Sequence, residues 1–116
     1  MGHLVAYFFG GVFLANFVPH FVSGVLGRDF PTPFASPPFR GPSPAPVNVL
    51  YGMLNLALAY VLVVRVGDFS PRSLDALAFG LGLTMWALMV ARSITKINRA
   101  GSLKGVTSVA SDLKRT

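Results

Sequence analysis

Residues 4–26 read LVAYFFGGVFLANFVPHFVSGVL, twenty-three positions without one Asp, Glu, Lys or Arg. As a helix rising about 1.5 Å per residue, the stretch is about 35 Å long, enough to cross a hydrocarbon core of about 30 Å. No Lys or Arg precedes it and no small-x-small cleavage site closes it, so it is expected to be a retained span rather than a secretory leader. Two further apolar blocks follow, Val47 to Val64, ended by Arg65, and Leu74 to about Ile94.

The rest of the composition agrees with those blocks. Of the 116 residues 53% are hydrophobic and only 12% charged, against about 25% charged in soluble domains. The mean hydropathy is +0.60. The length fits one domain, and the complete lack of Cys excludes a disulfide scaffold, thiol chemistry and Cys-based metal sites. The expected fold is therefore an all-α integral membrane protein, a bundle of three transmembrane helices. Helix 1 covers about 4–26, a Pro-rich loop 27–46, helix 2 about 47–65, helix 3 about 71–94 and a basic tail 95–116.

The loop carries prolines at 31, 33, 37, 38, 42, 44 and 46. Pro fixes φ and disfavours helix in the residue before it, so this segment is expected to be extended, polyproline-like or turned, and to lie outside lipid or against protein. Ser43-Pro44 reads as N-cap and first turn of helix 2, and Ser70-Pro71 as the same signal for helix 3. The tight link at Val66 to Ser70 predicts that helices 2 and 3 are antiparallel neighbours. Asp75 reads as part of a surface charge cluster with Arg65, Asp68 and Arg72.

Charge placement predicts an orientation. The formal net charge is +6; Arg28, Arg40 and six Lys or Arg between Arg92 and Arg115 lie on one side of the spans, and only Arg65 and Arg72 on the other. The positive-inside rule then sets the amino terminus outside and the tail in the cytoplasm. This explains the basic balance without nucleic acid, for which no aromatic-interleaved basic motif speaks. In the tail Leu103, Val106, Val109 and Leu113 recur at spacings of three and four, as in a weak amphipathic helix on the inner leaflet or a frayed basic tail near anionic lipid.

Polar residues inside apolar spans are costly in lipid and are expected to face protein or water. In helix 1, Asn16, His20 and Ser23 share a face, with Pro19 among them as a helix kink. In helix 2, Asn48, Tyr51, Gly52, Asn55 and Ala59 form a second stripe. The two stripes are expected to face each other as an intramembrane polar cluster, and its simplest role is hydrogen-bonded glue that fixes register. His20 is also the natural proton-handling group, since an imidazole titrates near physiological pH.

Helix 3 carries a stripe of small residues, Ala76, Gly80, Thr84, Ala87 and Ala91, whose spacing suits close helix packing. Trp86, Met85 and Met89 read as lipid or core contacts. Phe30, Phe34 and Phe39 in the loop read as interfacial anchors or as contacts for a partner docking on a stiff segment. There is no Ser/His/Asp set, no carboxylate pair within a span and no phosphate loop, so no enzyme is expected. No metal or cofactor is expected either: His3 and His20 stand seventeen residues apart on one helix, without HxxxH.

The expected function is that of a non-catalytic small membrane protein working through helix association, as an accessory subunit of a membrane complex or as a homo-oligomer. Its partners are then membrane lipid and other membrane subunits or copies of itself. The alternative is a small oligomeric channel or transporter with an Asn/His-lined path. A third reading is a haem-binding anchor of a redox enzyme, with a second axial ligand from another chain.

Overall fold

The first apolar block forms α1 over Gly2–Val25. In the computed structural model, which describes residues 2–115, it is followed by strands β1 Phe30–Pro31 and β2 Pro42–Ser43, then α2 Ala45–Tyr60, a π-helical turn Val61–Arg65, and α3 Leu74–Arg115. The chain is mostly helical, at 76%. Three helical stretches, Gly2–Val25, Ala45–Arg65 and Leu74–Arg115, are long and apolar enough to cross a membrane.

α1 is the central element, with α2 packed on one side and α3 on the other. Gly24 of α1 approaches Ala45 at the start of α2, and Gly10 approaches Ala59 near its end, so the two helices are antiparallel. Phe8 meets Gly82 and Asn16 meets Trp86, so α1 and α3 run parallel. This corrects the expectation that helices 2 and 3 are neighbours. Their directions do oppose, but the connection from Val66 to Ser73 is long enough to carry α3 round to the far side of α1, where small residues admit it. A Cβ at Gly82 would strike the Phe8 carbonyl, and one at Gly11 the Phe79 carbonyl. The α1–α3 seam is thus backbone against backbone.

The helix starts also differ from expectation. Pro44 is the N-cap residue of α2, with extended φ and ψ and no side-chain cap, while Ser43 belongs to β2. α3 begins three residues after Pro71, because Ser73 N donates to the Ser70 carbonyl in a turn at 3.3 Å. Ser73 Oγ then accepts from Asp75 N at 3.2 Å, and the Asp75 carboxylate accepts from Ser70 N at 3.0 Å. Asp75 therefore braces the helix start rather than standing in a loose charge cluster.

α3 does not stop near Ile94. It continues through residues 95–115 as one helix of 42 residues, about 63 Å at the helical rise, which matches the 67 Å longest dimension of the molecule. The apolar run ends there, but nothing ends the helix: no Pro follows, and Gly101 and Gly105 each weaken an exposed helix by only about 1 kcal/mol. Beyond Ile97 every described side chain is exposed. Thr116, the end of the expected tail, lies outside the described residues.

The Pro-rich loop folds back on itself. β1 and β2 pair antiparallel, Phe30 with Ser43 and Pro31 with Pro42. Thr32 Oγ1 and Ser43 Oγ share a buried hydrogen bond of 2.6 Å, and the Thr32 carbonyl accepts from Ala35 N and Phe39 N. Phe39 closes the turn at φ 63°, a left-handed conformation uncommon for a side chain of its size. The result is a small cap at the α1–α2 end of the bundle.

Candidate functional site

The buried polar side chains gather where α1 meets α2. Asn48 is wholly buried, and its Nδ2 faces three carbonyl oxygens, Ser43 at 2.9 Å, Phe30 at 3.1 Å and Pro44 at 3.3 Å. Those acceptors settle which way the amide lies, so Oδ1 is the atom presented to His20 Nδ1, 2.7 Å away. A carbonyl oxygen can only accept, so the imidazole donates through Nδ1–H, and the neutral ring keeps its lone pair on Nε2.

A second cluster lies one turn along. Asn16 Nδ2 donates to Asn55 Oδ1 at 3.0 Å and, at a long 3.4 Å, to the Tyr51 hydroxyl. Asn55 Nδ2 donates to the Tyr51 carbonyl at 2.7 Å. Asn16 Oδ1 accepts from Trp86 Nε1 at 2.9 Å, so one α1 side chain ties α2 and α3 together. The His20 ring stands edge to face against Tyr51 and Phe30, with centroids 4.7 and 4.9 Å away.

Asn16, His20, Asn48, Tyr51 and Asn55 are thus brought together, and Ser23 is not. Its carbonyl accepts from Arg28 N at 2.8 Å, and it borders an apolar groove between α1 and α3. Pro19, Ala87 and Ala91 border that groove too. Of the other small residues, Thr84 is exposed, Ala76 and Gly80 are half-buried, and a Cβ at Gly80 would meet nothing within 4 Å. The stripe is therefore not the seam with α1, which uses Gly11 and Gly82 instead.

The loop aromatics divide. Phe30 is turned inward on His20, contrary to its reading as an anchor or docking contact, because β pairing fixes its carbonyl over Asn48. Phe34 and Phe39 are 70% and 64% exposed, and Phe34 also leans edge to face on Tyr51 at 5.6 Å.

Trp86, read from sequence as a lipid or core contact, belongs to the polar network. An indole N–H within an apolar span needs an acceptor, and that need is the available signal. Thr32 and Ser43 were missed because a bond between two loop residues leaves no periodic trace.

A cavity of about 250 Å³ opens beside these groups. His20 and Asn16 of α1, Tyr51 of α2, Trp86 and Met89 of α3, and Phe30 from the loop line it. Among the described residues no fully buried side-chain nitrogen or oxygen lacks a partner. Nε2 of His20 has none, so it is not fully enclosed, and His20 lines the cavity.

Compared with protein-family models, curated proteins and solved structures, the chain matches none.

Proposed function

We propose that this chain is a non-catalytic integral membrane protein that crosses the bilayer three times and works through helix association, as an accessory subunit of a membrane complex or as a homo-oligomer. Its amino terminus is outside and the basic end of α3 lies in the cytoplasm, as the distribution of Lys and Arg favours. The observation that carries the reading is the uncovered flank of α3. Only Gly82 of its 42 residues is fully buried, while the small residues Gly80, Thr84 and Ala87 lie between a third and half a turn round the helix from Gly82. In lipid, close backbone packing on such a surface is a main source of association.

The polar network supports the same reading. Asn16 hydrogen-bonds both Asn55 and Trp86, linking three helices, which suits register-fixing better than an open Asn-lined path through one chain. The test is size in detergent. The parent is expected to run well above one 12.4 kDa chain, alone or with copurifying subunits, and Gly80→Leu to fall toward one chain with unchanged helix content. A parent that runs as a single chain without companions in mild detergents would overturn the reading.

A further inference from the structure

We propose that the cavity beside His20 is a binding site for an uncharged aromatic alcohol, whose hydroxyl donates to His20 Nε2 and accepts from the Tyr51 hydroxyl. His20 is only 4% exposed, yet Nε2 has no partner among the described residues, and the residue lines the cavity. Its other nitrogen is committed to Asn48, so the ring cannot turn away. Tyr51 accepts one long bond from Asn16, and its own O–H proton has no acceptor among the described residues. The cavity therefore offers one acceptor and one donor on rings 4.7 Å apart. A hydroxyl group, which donates once and accepts, answers both.

The walls specify the rest of the ligand. Among the described residues no charged side chain lines the cavity, so an ion would enter without a counter-charge, which disfavours charged ligands. Phe30, Phe39, Trp86 and Pro33 offer flat apolar faces, and Met89 a polarizable thioether suited to a ring edge. A dry cavity of about 150 Å³ holds benzene, so about 250 Å³ accommodates one or two fused rings with a hydroxyl. The site is built within one chain and does not depend on assembly with others.

The experiment follows the 15N resonances of histidine-labelled protein in neutral micelles during titration with 2-naphthol, naphthalene or decanol. His3 is exposed, so a His3→Gln variant assigns the remaining signals to His20. 2-Naphthol is expected to shift Nε2 saturably and to bind about thirtyfold more tightly than naphthalene, the worth of two net hydrogen bonds. Tyr51→Phe should weaken 2-naphthol five- to tenfold and leave naphthalene unchanged. A Nε2 signal that ignores every probe would mean that only water occupies the site and would overturn the proposal. Equal binding of naphthalene would remove the hydroxyl contacts, and equal binding of decanol the requirement for a ring; either result overturns it as well.

Discussion

Asn48 decides which nitrogen of His20 carries the proton. Three backbone carbonyls hold its amide with Oδ1 toward the ring, 2.7 Å from Nδ1. The loop thus sets the chemistry of a residue in α1 through one side chain of α2. Replacing Asn48 with Leu leaves the imidazole N–H and the loop carbonyls without their partner, and is expected to cost about 2 kcal/mol or more. Unfolding in mixed micelles measures this. A loss below about 0.5 kcal/mol would show that the network carries no stability.

The bond from Trp86 to Asn16 is readable by light, because Trp86 is the only tryptophan of the chain. Asn16→Leu removes the acceptor of the indole N–H and the donor to Asn55. A blue shift of emission and a loss of about 1 kcal/mol are expected. Unchanged emission would place the indole elsewhere.

Two glycines two residues apart on α3 should respond oppositely. A methyl group at Gly82 meets the Phe8 carbonyl, so Gly82→Ala forces the helices apart and is expected to cost about 1 to 3 kcal/mol. Gly80→Ala meets nothing within 4 Å among the described residues and gains helix propensity, by about 0.5 to 1 kcal/mol. Equal effects in an unfolding series would contradict the rotation of α3 about its axis.

These contrasts separate what the residue pattern could show from what it could not. Hydropathy marks the three helices because each apolar block is as long as a bilayer is thick. The gathering of Asn16 and His20 toward Asn48 and Asn55 is legible because polar atoms in an apolar helix need partners and helical spacing leaves few. Trp86 is legible only as a lipid or core contact, since its partner depends on the rotation of a third helix. The placement of α3 across α1 from α2 escaped because a short link limits distance but not side. The end of α3 is not legible because hydropathy reports where lipid contact ends, whereas a helix ends only where a breaker or cap stops it.

The cysteine-free sequence allows the orientation to be read with single thiols. Asp68→Cys sits in the exposed link between α2 and α3, and Ser111→Cys in the exposed part of α3 beyond the apolar run. In intact cells an impermeant maleimide is expected to label position 68 at once and position 111 only after permeabilisation. The reverse pattern would invert the topology and show that the Lys and Arg count does not govern this chain.

His20 separates the packing role from a transport role. Gln at this position keeps both polar functions of the neutral imidazole, an N–H that can reach Asn48 Oδ1 and an oxygen that can face the cavity. Leu keeps neither and leaves Asn48 Oδ1 buried without a donor. If the role is hydrogen bonding, His20→Gln stays within about 1 kcal/mol of the parent, while His20→Leu loses about 1 to 3 kcal/mol. If the role is carrying protons, Gln fails with Leu, because neither titrates, and any flux that varies between about pH 5 and 8 in proteoliposomes of the parent vanishes in both variants. The first pattern is expected: the His20 side chain is paired with an amide, and among the described residues no carboxylate lines the cavity beside it to receive a proton from Nε2. The deciding measurement pairs unfolding free energy with flux against pH for parent, Gln and Leu. Intact stability in the Gln variant with abolished pH-dependent flux would assign His20 to transport.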